Sequence, residues 1–329
     1  MTDFYFYTET AFHHEGNLEY IKELITATKE SGAKGIKFQV LTNSNDFVSE
    51  KHTAFNDLSS YCFSYQTWIE IFNFTKKMDL DIIMMPLNIE ALDLLNSFEV
   101  KFLEIHSVSF NDFRLLEKIR EKKTDLIIGV GGRLIEEINE MQDYFGDQLK
   151  VLMVGFQAFP SKLEDIKLGK IAYLKKHYLN LQIGYADHSS FENEFAVKAN
   201  EYAFLLGATI FEKHITINEG QERIDFSAAV SKEKIKESIL NLEFLQKYVA
   251  IPDNDFLTFN EPELKYRNRQ LICVANRDID EGDTIKLEDI NLKLIDVLEP
   301  SFSKSNDLVG RKVTSKIEFD SPFLEKNIL

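Results

Sequence analysis

Two short apolar runs end in histidine: Gln182-Ile183-Gly184-Tyr185-Ala186-Asp187-His188 and Thr209-Ile210-Phe211-Glu212-Lys213-His214. Read as buried strands, they carry their polar groups at the C-terminal end. Side chains alternate faces along a strand, so Glu212 and His214 point one way and Lys213 the other. Neighbouring strands run about 4.8 Å apart, so on adjacent strands the two imidazoles can converge on one ion. Neutral imidazole ligates manganese, iron, cobalt and zinc. Glu9, at the end of the first apolar run, could hold a water or serve as a third ligand. The competing reading is two histidines satisfied by hydrogen bonds at a strand rim.

Lys37-Phe38-Gln39 is a second signal, with Lys37 and Gln39 on one face by parity. A lysine in a crowded interior needs an anion, whether a substrate or a carboxylate such as Glu9 or Glu212. Gly131-Gly132-Arg133 stands before a helical pattern. Backbone N–H groups at a helix start can cradle phosphate, and Arg133 could add a forked contact; a plain helix-entry turn with an exposed arginine reads equally well. Arg267 and Arg269 sit at the entrance to a small C-terminal piece, where exposed linker arginines are the ordinary case.

These residues need strands to hold them. Apolar runs at Phe4–Thr8, Gly35–Val40, Asp81–Pro86, Phe102–Ile105, Leu126–Val130, Val151–Val154, 182–188 and 209–216 alternate with helical patterns. The patterns include one opened by Asn17, one opened by Ser64, one over Ile89–Phe98, one over Phe191–Leu206 and a last over Lys232–Tyr248. A polar loop is expected up to about Ser64. Eight such units in about 250 residues predict a closed (β/α)₈ TIM barrel, with its chemistry at the C-terminal strand ends. An open doubly wound sheet is the alternative, but no GxGxxG follows the first strand. The predicted division is a barrel over 1–252, a polar linker over 253–266 and a small β-rich unit over 267–329, built from two similar halves.

Composition narrows the function. The 329 residues carry a net charge of −16, which argues against a nucleic-acid partner, since phosphate backbones call for a basic stripe. No apolar run approaches the roughly 20 residues of a membrane span. The beginning, Met1-Thr2-Asp3-Phe4, lacks the basic and apolar regions of a secretory leader. Cys62 and Cys273 show no CxxC spacing and fit free thiols in a reducing compartment, so a cytoplasmic location is expected.

Taken together, the residues resemble the sialic acid synthases, which join phosphoenolpyruvate to an N-acylated amino-sugar aldehyde to make nine-carbon nonulosonic acids. The likeness rests on Glu9 with His13-His14-Glu15-Gly16, Gly32-Ala33-Lys34-Gly35-Ile36-Lys37-Phe38-Gln39, Gly184-Tyr185-Ala186-Asp187-His188 and Gly207-Ala208-Thr209-Ile210-Phe211-Glu212-Lys213-His214. The C-terminal unit resembles the antifreeze-protein-like (SAF) domain that follows the barrel in that family. The resemblance implies a divalent metal on His188 and His214, usually manganese, with magnesium, cobalt and zinc as alternatives. Lys37 would steady the donor with Gln39 nearby, and Glu9 would orient or deprotonate the attacking water. Asp225 would grip sugar hydroxyls, with Ser107, Gln157, Asp187 and Glu212 among the other substrate contacts. Arg269 would reach a partner subunit's site and recognise the acyl group, implying a domain-exchanged homodimer.

The sequence also departs from that family. A Lys-x-x-Ser phosphate contact reads Glu104-Ile105-His106-Ser107; Ser-Thr-Pro reads Met84-Met85-Pro86; Ser-Thr-Gly reads Gly129-Val130-Gly131. An asparagine becomes Gln157, and a serine becomes Ala186. The departures fall on the phosphate-gripping groups. One expectation is a pocket rebuilt around Arg133, which would replace the lost cation or pair with Glu104. The alternatives are a metal-dependent aldol-type reaction with another donor, or a silent sugar-binding relative.

Overall fold

The computed structural model describes residues 3–155, 160–249, 259–267 and 269–329. Eight parallel strands close into a barrel in the order β1 to β8, with β1 hydrogen-bonded to β8. The open-sheet alternative is thereby excluded. The strands are β1 (Tyr5–Glu9), β2 (Gly35–Val40), β3 (Asp81–Pro86), β4 (Phe102–Ile105), β5 (Leu126–Gly129), β6 (Leu149–Val154), β7 (Gln182–Asp187) and β8 (Ile210–His214). Helices α1 (Leu18–Ser31), α2 (Phe55–Tyr61), α3 (Tyr65–Lys77), α4 (Phe113–Lys122), α5 (Ile135–Phe145), α6 (Gly169–His177), α7 (Phe195–Leu205) and α8 (Lys232–Tyr248) lie between and after them.

The alternation of strand side chains sorts the apolar residues into two layers. Phe6, Phe38, Ile82, Met84, Leu103 and Ile128 face outward and meet the helices in a cluster with Ile21, Trp68, Phe72 and Leu116. Tyr7, Ile83, Phe102, Ile127, Val151, Met153 and Ile210 face inward and fill the lower barrel. That packed floor leaves the polar strand ends as the upper layer. Helix starts follow the local rules: Asn17 accepts from the Tyr20 N–H and Ser64 from the Thr67 N–H, each satisfying an orphan donor of the first turn.

Two segments differ from expectation. The run at 89–98 forms a 3₁₀ helix over Glu90–Asn96, not an α-helix, with bonds such as Leu92 N–H to Ile89 and Ser97 N–H to Leu94. Ala91 and Leu94, three apart, stack on one face of that tighter helix and are both buried. The polar loop before Ser64 contains α2, none of whose residues is buried, so no apolar period announced it.

Residues 252–329 form a separate compact unit. Its first helix, α9 (Glu261–Arg267), is fully exposed and occupies much of the span read as linker. Strands β9 (Ile272–Ala275) and β10 (Ile290–Lys293) pair antiparallel. The remaining β-structure is a set of isolated bridges, including Ile279 with Ile317 and Thr284 with Lys312, that join the two similar halves over Cys273, Ile285, Val313 and Phe323.

Candidate metal centre at the barrel mouth

Strand register assembles the site. On β1, Glu9 lies opposite His214 of β8 on one side and Lys37 of β2 on the other, so three strand ends present one row. Glu212 is two residues below His214 on the same face, and Gln39 two residues above Lys37. His188 follows directly on β7. Ligand atoms of Glu9, His188, Glu212 and His214, all buried, lie within 4.8 Å of one another. The imidazole centroids are 5.1 Å apart.

The orientation of His188 suits a cation. Its Nδ1–H donates to the Ala186 carbonyl at 3.0 Å, which fixes the tautomer and leaves Nε2 with a lone pair toward the mouth. Burial, then the neighbouring His214, hold its pKa well below the ordinary value, so the ring is neutral at pH 7. Glu9 Oε2 stands 3.1 Å from His214 Nε2 and 3.2 Å from Lys37 Nζ, and its Oε1 accepts from Gln39 at 2.9 Å. Burial works against ionisation of Glu9, but Lys37 and His214 outweigh it and hold the carboxyl well below its usual range. Glu212 goes the other way: burial and the Glu9 charge lift it well above that range. Two imidazoles and two carboxyl groups converging on one point form a donor set that fits a first-row divalent ion.

Lys37 is buried among three carboxyl groups: Glu212 at 2.6 Å, Glu104 at 3.0 Å and Glu9 at 3.2 Å. Burial would lower its pKa, but Glu104, Glu212 and Glu9 raise it above the ordinary value. Glu104 also accepts from the Tyr7 hydroxyl at 3.2 Å. Met85, His106, Ser107, Gly129, Gly131, Met153, Gly155 and Ala186 complete the lining of a mouth of about 80 Å³.

Other candidates lie elsewhere. Arg133 does not pair with Glu104; Lys37 occupies that position, and Arg133 donates to Glu137 at 3.1 Å with its guanidinium over the Phe110 ring. One turn into α5, Glu137 is the nearer anion. Asp187 is outside the mouth, because it faces the opposite side of the wall from Glu212. It lies in register with Lys213, whose Nζ donates to it at 2.7 Å, and it accepts from the Ser189 N–H at 3.0 Å and from the Ser189 hydroxyl. Asp225 is half-buried at φ +62° beside the mouth, and burial lifts its carboxyl. Arg269 is exposed on the second unit, in a groove with Tyr266 and Leu294. Gln157 lies outside the described residues.

A row of residues to which the sequence reading gave no role of their own braces the seam. His13 Nδ1–H donates to the Ile224 carbonyl at 2.6 Å and its Nε2 accepts from Thr216 at 2.9 Å, while Arg223 pairs with Glu15 at 3.0 Å. Glycine is required at residue 16, where φ is +74° and a Cβ would fall 2.4 Å from the Ser60 carbonyl oxygen. The adjacent His13-His14-Glu15-Gly16 was the available signal.

A sequence model described as the NeuB family matches residues 24–250. The chain belongs to the NeuB family. It is 26% identical to an uncharacterised protein of Methanocaldococcus jannaschii, over 87% of this chain and 83% of that one. It is 25% identical to the N-acetylneuraminate-9-phosphate synthase of Drosophila melanogaster (99% and 96% covered) and 25% to a pseudaminic acid synthase of Campylobacter jejuni (97% and 95%). In fold, the spore coat polysaccharide biosynthesis protein E of Chromobacterium violaceum matches with a TM-score of 0.86 at 20% identity, covering 99% of this chain and 100% of that one. The N-acetylneuraminic acid synthetase of Leptospira borgpetersenii matches at 0.73 and 23%, covering 81% and 92%. The NeuB-type barrel is thus common ground between fold and family, and at its strand ends this chain carries a buried Glu/His cluster able to take a metal. None of the described helices is long and apolar enough to cross a membrane.

Proposed function

We propose that this chain forms a carbon–carbon bond between a three-carbon enol donor and the aldehyde carbon of an N-acylated amino sugar, giving a nine-carbon acid. The observation that carries the reading is the convergence of His188, His214, Glu9 and Glu212 on one point at the barrel mouth. These residues would hold a divalent cation, manganese first and magnesium, cobalt or zinc as alternatives, which when bound acts as a Lewis acid on the aldehyde oxygen. Glu9, kept ionised by Lys37 and oriented by Gln39, is placed to accept a proton at the reacting centre. Buried walls of Met85, Met153 and Ala186 exclude bulk water from that face. The synthase names of the relatives support the reaction type.

In this reading Asp225 contacts sugar hydroxyls, and Arg269 enters the mouth of a second copy in a domain-exchanged homodimer to meet the acyl group. The free thiols Cys62 and Cys273 support a cytoplasmic setting. The test incubates the manganese-loaded protein with N-acyl hexosamines of different configuration and with either phosphoenolpyruvate or pyruvate, and reads the mass of the product. A nine-carbon acid that disappears in His188→Ala and His214→Ala is expected. No such product from any pairing, with manganese bound and the chain folded, would refute the reading. Light scattering, with and without Arg269→Ala, checks the assembly: a dimer is expected, and acceptor KM should rise in the variant without loss of the dimer.

A further inference from the structure

An ammonium has three N–H donors. At Lys37 they go to Glu212 at 2.6 Å and Glu104 at 3.0 Å, and Glu9 adds an ion pair at 3.2 Å. No other lysine or arginine is among the described residues that line the mouth. Arg133, the cation nearest in sequence to the exit of β5, is bound to Glu137. One ammonium therefore faces three carboxyl groups, with no second cation among the described residues of the lining to meet a further anion.

That arrangement discriminates between donors. A phosphoenol acid brings a carboxylate and a phosphate of nearly two charges, about three negative charges in all. It would have to place the phosphate where Lys37 is already neutralised and where Glu104 repels it across a short, buried distance. An unphosphorylated 2-oxo acid brings one negative charge. Ser107, Gly129 and Gly131 remain on the lining, and hydroxyl and backbone N–H donors of that kind can meet a single carboxylate without a second cation.

We propose that the donor subsite of this barrel takes an unphosphorylated 2-oxo acid, pyruvate being the smallest, and that Glu104 excludes the phosphorylated counterpart. The condensation is then an aldol addition. A methyl C–H bond of the donor breaks and its proton passes to the Glu104 carboxylate, which Lys37 positions. The methyl carbon bonds to the aldehyde carbon, and the aldehyde oxygen receives the proton and ends as a hydroxyl. No phosphate leaves, no water is consumed and no redox partner is needed.

This inference rests on the condensation reading above, but it is tested by binding, separately from turnover. The full chain, loaded with manganese, is titrated by calorimetry with pyruvate and with phosphoenolpyruvate, as wild type and as Glu104→Gln. The wild type should bind pyruvate at least about 100-fold more tightly than phosphoenolpyruvate. Glu104→Gln should narrow that ratio by about tenfold or more, through gained affinity for the phosphorylated acid. A wild-type preference for phosphoenolpyruvate overturns the proposal, as does a wild type that binds no pyruvate. So does a variant that folds, holds manganese and keeps the ratio unchanged. Should the variant not fold, the wild-type ratio alone decides. A preserved preference for pyruvate with no nine-carbon product from any aldehyde would sink the condensation and leave the donor subsite standing.

Discussion

Replacing Lys213 by methionine isolates the device that holds His188. The Lys213 and Asp187 side chains are wholly buried and face each other across β7 and β8 at 2.7 Å. Burial pushes the Lys213 pKa down and Asp187 pulls it back, so the pair depends on itself for its charge. Without the ammonium, Asp187 keeps only the Ser189 N–H and hydroxyl and the Tyr185 hydroxyl at 3.3 Å. Removing one partner of a buried pair costs about 3–5 kcal/mol, because the other charge is left in a low dielectric. For a barrel of this size, about 2–4 °C per kcal/mol puts the fall in melting temperature at roughly 6–20 °C. Asp187 and Ser189 flank His188, so manganese affinity should fall about 10–100-fold with no ligand altered. The assay is thermal unfolding with and without manganese, for Lys213→Met, Asp187→Asn and the pair of substitutions together. Taking away both charges should restore most of the loss, since neutral groups in place of the whole pair leave nothing uncompensated. A single variant within about 1 kcal/mol of wild type, or a double variant no more stable than the single, refutes the reasoning.

Further outcomes are expected. His188→Ala or His214→Ala should each weaken manganese binding by more than about 100-fold, exceeding the loss typical of an outer partner, as read by calorimetry; unchanged stoichiometry and affinity would dissolve the centre. Gly16→Ala should cost about 1–3 kcal/mol in denaturant unfolding, since it meets both the left-handed backbone and the Ser60 carbonyl; a neutral result would mean the β1 exit turn can move freely. Burial lowers the pKa of His13 to about 4 and of His14 to about 3, so the unfolded chain takes up protons there that the folded chain refuses. Their contribution to stability is complete above about pH 6.5 and is lost as pH falls toward those folded values, by up to about 1.4 kcal/mol per unit for each ring. Urea midpoints at pH 7 and pH 5 check it, and a midpoint that does not fall in acid contradicts the assignment.

The barrel was legible because its strands repeat at the right interval and its helices announce their starts, as at Asn17 and Ser64. The row Lys37, Glu9, His214 was legible in part: parity placed each residue inward, but register across strands is set by packing that no single strand encodes. Asp187 shows the limit most clearly. Beside a histidine at a strand end it reads as a site group, yet its own parity places it with Lys213 on the outer face, and neighbouring position outweighed alternation. The partner of Arg133 could not be read either, because Glu137 is reached only through the turn that opens α5 and Glu104 only across two strands. Glu104 was recognisable as a sign reversal, but the completeness with which three carboxyls enclose Lys37 is a property of the closed barrel.

The hydrogen-bonded seam between β1 and β8 sets a condition on biosynthesis. Glu9 leaves the ribosome some two hundred residues ahead of His214, yet they end side by side. No partial chain can own the cation-binding chelate, so its appearance reports circumferential completion of the cylinder and nothing earlier. A cation bound there would act as a rivet through the last joint to close, slowing its reopening more than that of any other pair of staves.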